Sequence, residues 1–342
     1  VYIRFIILFF VPFLTLPIHA VSLRGLAEQH TLWVGAAVSG FRLKHDAEYR
    51  SVLAREYNML VAENDMKFHR THPKEDTYTF VNADAIANFA QKQGMKLRGH
   101  TLVWHRAVPD WLEEKEWKAG ELSEMLREHI LKVAGRYKGQ MHAWDVVNEA
   151  MTNQGEWRDS FWYKHLGKDY LFNAFRWAKQ ADPEAKLFYN DYSAAVLNKK
   201  SDAIYDLVKE MQGKGIPIDG IGFQLHVKAA KYPNIASMRK NIRRLAALGM
   251  EVHFTEIDAR LKLPTTKEQF EQQARCYREL LELCLSEPNC KAFLTWGFTD
   301  RYSWVYKHFE GYGDALPFDK NYEPKPAYHA MIDVLRGASG RN

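Results

Sequence analysis

Eight short apolar runs, each followed by a helix-patterned segment, constrain this chain more than any other feature. The runs are Trp33–Ser39, Met59–Asn64, Lys96–Trp104, Ala143–Asn148, Lys186–Asn190, Gly220–His226, Glu251–Ile257 and Ala292–Phe298. Between them apolar residues recur every three or four positions, in Lys44–Glu56, Asn82–Gln93, Glu121–Tyr137, Tyr170–Gln180, Lys199–Lys214, Ile235–Leu248 and Lys267–Cys284. A last such segment, Pro326–Leu335, follows the eighth run. Gly94, Gly215 and Gly249 stand where helices stop. Strand and helix alternating eight times predict an α/β fold, a single-domain (β/α)8 barrel. A doubly wound open sheet would want a glycine-rich phosphate loop after the first strand, and "GAAVSGF" is a poor match to one. At 342 residues and 46% hydrophobic content the chain can bury such a core.

Residues 1–20 stand apart from this pattern. Arg4 precedes an apolar run from Phe5 to Leu16, and the segment ends at Ala20. The run is shorter than the ~20 residues of a membrane helix. A basic start, a short apolar centre and a small terminal residue predict a secretory signal peptide over 1–20. The catalytic domain is then 21–342, and the mature protein is expected to be secreted or periplasmic, without a membrane span. The net charge of +5 is spread along the chain with no dense basic tract, which argues against nucleic-acid binding. A monomer is the expectation. Of the three cysteines, Cys276 and Cys284 lie too far apart along one helix to bond, whereas Cys284 and Cys290 flank the turn-like "LSEPN" and could pair in an oxidising compartment.

In an eight-fold barrel the active site lies at the C-terminal ends of the strands. Those ends are polar or aromatic almost throughout. The second carries Glu63, Asn64 and Lys67; the third, His100, Trp104 and His105; the fourth, Asn148 and Glu149; the fifth, "NDY". The sixth carries Gln224 and His226, the seventh Glu256 and Asp258, and the eighth Trp296, with Trp304 in the loop beyond. Metal hydrolysis would want His-x-His or His-Glu-x-x-His spacing, which no strand offers. Phosphate-ester chemistry would want a glycine-rich loop after strands seven and eight. Glycoside hydrolysis wants two carboxyls flanking a sugar, amides and imidazoles for its hydroxyls, and indoles for its faces, and all of these are present.

Glu149 and Glu256 end strands on opposite sides of the barrel. Reaching inward, their carboxyls could approach to ~5–5.5 Å, the separation of a retaining mechanism. Two carboxyls that close do not both ionise easily, so one is expected to keep its proton. Asp258 shares a strand face with Glu256, and His226 comes from the neighbouring strand. An imidazole between the two acids would hold Glu256 ionised, as a nucleophile requires. Asn148 beside Glu149 could bond a sugar 2-hydroxyl, which suits Glu149 as the acid/base.

These residues resemble the family 10 glycoside hydrolases, the endo-β-1,4-xylanases. The matching words are "GHTLVWH", "AWDVVNEA", "NDY", "IDGIGFQLH", "FTEIDAR", "WGFTDRYSW" and "FDKNYEPKPAYHAM", in family order, from about Leu23 to Leu335. The resemblance implies xylan and xylo-oligosaccharides as substrates, a retaining mechanism, and no metal or organic cofactor. It implies Glu149 as acid/base and Glu256 as nucleophile, supported by His226, Asp258, Asn148 and Gln224. It further implies glycone contacts from Glu63, Asn64, Lys67, His100 and Trp104. Trp296 and Trp304 would roof that side, Trp304 excluding the C6 hydroxymethyl of glucose. Some members carry a disulfide where Cys284 and Cys290 sit. A β-glucanase on the same barrel, or a non-catalytic carbohydrate-binding protein, are the rival expectations. Trp304 speaks against the first and the pair of glutamates against the second.

The chain departs from the family pattern at several places. Arg106-Ala107-Val108-Pro109 stands where Ser-Gln-Leu-Pro is usual, Phe68-His69 replaces a common Trp-Glu, and Ser193 replaces an Asn after "NDY". Arg106 puts a cation beside the cleft, facing either acidic substituents of xylan or solvent alone. Ala107 cannot make the glycone hydrogen bond of the usual Gln, so the second glycone subsite is expected to bind more weakly by ~1 kcal/mol. Ala107→Gln should therefore speed hydrolysis of short xylo-oligosaccharides; unchanged steady-state rates would contradict this.

Overall fold

The computed structural model describes residues 21–339. Eight parallel strands form its centre: β1 Trp33–Val38, β2 Met59–Ala62, β3 Lys96–Trp104, β4 Ala143–Asn148, β5 Lys186–Tyr192, β6 Gly220–Gln224, β7 Glu251–Lys262 and β8 Cys290–Thr295. Each pairs with the next, and β8 pairs with both β7 and β1 (Trp33 opposite Ala292), which closes the barrel. Helices cover the outside. Strands buried on both faces read as near-continuous apolar runs, and β2 and β4 are buried at every position, with Asp145 and Asn148 the polar exceptions in β4.

The helices read from apolar spacing form near their expected places, one of them divided, and short helices that the spacing did not show are added, such as Phe68–Thr71 and Phe161–Leu166. The segment Lys44–Glu56 is not one helix but two, Gly40–His45 and Ala47–Glu56. Asp46 breaks it by adopting an extended conformation and capping the second helix, its carboxylate accepting from the Tyr49 amide at 3.0 Å. The same carboxylate accepts from the hydroxyls of Tyr302 (2.8 Å) and Tyr322 (2.5 Å), tying this corner to the loop after β8. A helix at Leu23–Gln29, unforeseen because seven residues give little periodicity, packs on the helices Ala47–Glu56 and Pro326–Ser339.

Several strand ends differ from expectation, β2 stopping at Ala62, β5 running to Tyr192 and β8 ending at Thr295, and those of β6 and β7 bear on the site. Strand β6 stops at Gln224, and His226–Lys228 pairs separately with an extension of β7, His226 lying opposite Asp258. Strand β7 consequently runs to Lys262, so Glu256 sits in mid-strand rather than at its end. The Cys284–Cys290 disulfide is formed, and Cys276 is a buried free thiol. Among the described residues no helix is long and apolar enough to cross a membrane. The segment 1–20, read above as a signal peptide, lies outside the described residues.

A charged layer inside the barrel supports the catalytic end. Arg98 of β3 is wholly buried and donates to Asp145 of β4 from Nε (3.1 Å) and Nη2 (2.5 Å). Its Nη1 meets His253 Nδ1 on β7 at 2.8 Å. Burial pushes the His253 imidazole down to about 3, so it is neutral and accepts this bond. Asp145 Oδ2 also bonds His100 Nδ1 at 3.0 Å, orienting the His100 ring. Burial opposes the Asp145 charge, but Arg98 and His100 outweigh it and hold the carboxyl below its ordinary range.

Gly222 of β6 shows how closely the barrel wall is fitted to the site. A Cβ there would lie 2.1 Å from Asn190 Oδ1 and 2.9 Å from Thr255 Cγ2. The missing side chain is the space that Asn190 occupies. Gly222→Ala is expected to lower stability by ~1–3 kcal/mol through overpacking and to displace Asn190. Thermal melting and turnover should fall together; an unaltered melting temperature with full activity would contradict this.

Candidate active site

A cleft of ≈ 540 Å³ opens at the C-terminal ends of the barrel strands. Of the residues named from the sequence, Glu63, Asn64, Lys67, His100, Trp104, Asn148, Glu149, Gln224, His226, Glu256, Trp296 and Trp304 all line it. Asp258 does not; it is fully buried behind His226.

Glu256 is held from two sides. His226 Nε2 lies 3.0 Å from Glu256 Oε2, and Asn190 Nδ2 donates to Oε1 at 2.7 Å. The other imidazole nitrogen of His226 lies 2.6 Å from Asp258 Oδ2, which also accepts from Trp304 Nε1 at 2.9 Å. The two-residue period of β7 puts Glu256 and Asp258 on one face, with the His226 ring bridging them. Burial works against a charged imidazole, but Asp258 and then Glu256 more than compensate, and the His226 pKa is pushed up to about 10. Burial likewise opposes ionisation of Glu256, yet the His226 bond, with His100 and Asn190, brings its pKa below the ordinary glutamate value.

Glu149 is presented differently. It follows the last residue of β4 with φ of 60°, a left-handed conformation uncommon for a residue with a Cβ. Its amide donates to the Asn190 carbonyl at 2.9 Å, and its carbonyl accepts from Arg158 Nε at 2.9 Å. Arg158 also donates from Nη2 to the Met151 carbonyl (3.1 Å) and the Tyr192 hydroxyl (2.9 Å). These bonds fix the turn that aims the carboxyl into the cleft. Gln224 Nε2 reaches Glu149 Oε1 at 3.1 Å.

Amides connect the two acids. The Asn148 amide oxygen accepts from Asn190 Nδ2 (2.9 Å) and Gln224 Nε2 (3.0 Å). Asn190 therefore touches both halves of the site, and its own oxygen accepts from Thr255 Oγ1 at 2.7 Å.

At the β2–β3 side, Lys67 Nζ donates to Asn64 Oδ1 at 2.8 Å and lies 4.7 Å from the Trp104 ring centre. Burial lowers the Lys67 pKa despite Glu256, Glu63 and Glu149 nearby, and burial raises that of Glu63 despite Lys67. Trp304 packs edge-on against His226 at 4.8 Å. Ala107 is buried and does not line the cleft; its carbonyl accepts from the His69 amide at 3.1 Å. Arg106, His69 and Ser193 do line it. Among the described residues no group of three His, Cys, Asp or Glu is placed to hold a metal ion.

Three contributors were not singled out from the sequence. Asn190 lay in view within "NDY" at the end of the fifth strand, but only the fold shows that its amide reaches Glu256. Tyr192 lies in the same word, and it lines the cleft. Arg158 sits ten residues past its strand in an irregular loop, and no spacing rule points to it.

The chain matches the family described as "Glycosyl hydrolase family 10" over residues 22–334. It belongs to that family. This glycosyl hydrolase is 43% identical over 318 residues to the "Endo-1,4-beta-xylanase B" of Thermotoga neapolitana, covering 92% of each chain. Its fold superposes on native xylanase 10B from Thermotoga maritima with a TM-score of 0.91 at 45% identity, covering 94% of this chain and 100% of that one. Xylanase 10B from Thermotoga petrophila RKU-1, solved in complex with xylobiose, gives a TM-score of 0.91 at 44% identity, over 94% and 98% of the two chains.

Removing the Arg158 guanidinium should release the Glu149 turn without touching the carboxyls. Arg158→Ala is expected to lower kcat by on the order of tenfold to a hundredfold with KM little changed. A rise in KM at constant kcat would contradict the positioning role.

Proposed function

We propose that Glu256 is the nucleophile and Glu149 the acid/base of a retaining endo-β-1,4-xylanase. The observation that carries the assignment is the His226 bridge, which keeps a charge on Glu256, while among the described residues no cationic side chain is bonded to the Glu149 carboxyl. In the first step a Glu256 carboxylate oxygen attacks the anomeric carbon of the xylose on its glycone side. The glycosidic C–O bond breaks, and Glu149 gives its proton to the departing oxygen. The result is a glycosyl ester on Glu256. In the second step water attacks the same carbon, Glu149 takes the water proton, and Glu256 leaves as carboxylate, so the β configuration is retained. In this reading Asn148 bonds the 2-hydroxyl, and Trp296 and Trp304 cover the glycone sugars.

The pinned Trp304 supports xylose over glucose. Its indole is fixed by the bond to Asp258 and by the contact with His226, so it cannot swing aside for a C6 hydroxymethyl group. Trp304→Ala is expected to raise the rate on aryl cellobioside relative to aryl xylobioside; an unchanged ratio would mean that another group sets the preference.

The apolar leader at 1–20 supports export of the protein, with the disulfide in keeping with an oxidising compartment. N-terminal sequencing of protein recovered outside the cell would find Val21 first, and a chain still beginning at Val1 would refute cleavage there.

The pH dependence tests the nucleophile's environment. A carboxylate with a lowered pKa is charged above that pKa and loses activity as pH falls through it. Replacing His226 removes the main bond holding Glu256 ionised. His226→Asn should therefore move the acid limb of kcat/KM to higher pH, whereas Glu256→Ala should abolish turnover while xylo-oligosaccharides still bind. Normal turnover in Glu256→Ala would overturn the mechanism.

A further inference from the structure

Arg106 lines the cleft yet makes no hydrogen bond or ion pair with any described residue. The other cations at the cleft are engaged. Lys67 is bonded to Asn64, and His226 lies between two carboxylates. Arg106 also lines a second cavity of ≈ 390 Å³, whose wall includes His69, Pro73, Val108, Pro109 and Asp110. His69 and Arg106 line both cavities, so the smaller one adjoins the cleft at these two residues, near Lys67 and Trp104. Both residues are held from behind. The His69 amide donates to the Ala107 carbonyl, and the Ala107 amide to the Trp104 carbonyl, each at 3.1 Å. This short ladder fixes Arg106 next to the subsite wall.

A linear xylan chain has no charge for a guanidinium to meet and no branch to fill a side cavity. We propose that the side cavity receives an acidic side substituent of xylan, a uronic acid carried by a glycone-side xylose, with its carboxylate on Arg106. This rests on the xylanase reading above and adds the substrate class. The planar guanidinium suits a carboxylate because it can donate two parallel N–H bonds. His69 stands at the same opening. Burial and the nearby Arg70 and Lys67 lower its pKa, with Asp110 acting weakly the other way, so its ring is neutral at pH 7 and available as a hydrogen-bond partner rather than a second charge. Asp110 is the one carboxylate of the side cavity and opposes an acidic guest.

The test compares three substrates of equal length: a linear xylo-oligosaccharide, the same chain carrying one glucuronate on a glycone-side xylose, and its methyl ester, which keeps the shape without the charge. Arg106→Gln should lower kcat/KM on the glucuronate substrate by about tenfold, mostly through KM, the size of one charge-assisted hydrogen bond. The linear substrate and the ester should change less than about twofold, since no charge-assisted bond is lost with them. Asp110→Asn should move the glucuronate substrate the other way. Added salt should weaken the wild-type preference for the acid. An equal effect of Arg106→Gln on all three substrates, or no effect on any, overturns the uronate site. Failure of the wild type to hydrolyse the linear substrate would instead overturn the xylanase reading on which the proposal stands.

Discussion

The hydrogen bond between His226 and Glu256 is the interaction on which the rest of the site depends. A carboxylate sealed in a barrel mouth tends to take up a proton. Here a protonated imidazole, itself anchored by Asp258, lies 3.0 Å away and reverses that tendency. The bridge needs two acids at a two-residue spacing on one strand face, and a histidine delivered from the adjacent strand at matching height. Pairing of His226–Lys228 with the extension of β7 supplies that height, because His226 falls opposite Asp258. The Trp304 indole bonds the same Asp258, so Trp304 and His226 share one anchor.

The second acid is placed by backbone rather than by charge. Glu149 leaves β4 in a left-handed turn, a conformation that costs ~1–3 kcal/mol for a residue with a side chain. Arg158 and the Asn190 carbonyl hold the turn, and Asn190 spans the cleft floor to Glu256. Beneath this floor the Arg98–Asp145 pair fixes His100, so a buried charged layer supports the open polar one. Removing one partner of such a pair leaves an uncompensated buried charge.

Much of this was legible from the sequence, and the reasons are physical. Strands buried on both faces are largely apolar, and a barrel puts its polar strand ends at one mouth, so the alternation and the strand-end residues announce fold and site together. The bridge from Glu256 through His226 to Asp258 followed from the period of two. What escaped was set by tertiary contact. Asp46 splits a helix because tyrosines from a distant loop bond it. Asn190 and Arg158 act through partners far away in sequence. Ala107 is buried, and its backbone carries the His69 and Arg106 wall.

The central claim is that Glu256, charged by the His226 bridge, forms the covalent link to sugar. The most direct measurement is mass spectrometry of peptides from enzyme treated with an activated 2-deoxy-2-fluoro-xylobioside, whose glycosyl ester turns over slowly. The account predicts one fluoro-xylobiosyl group per chain, on the peptide containing Glu256 and on that residue. A label on another carboxylate, or inactivation without any covalent sugar, would contradict it.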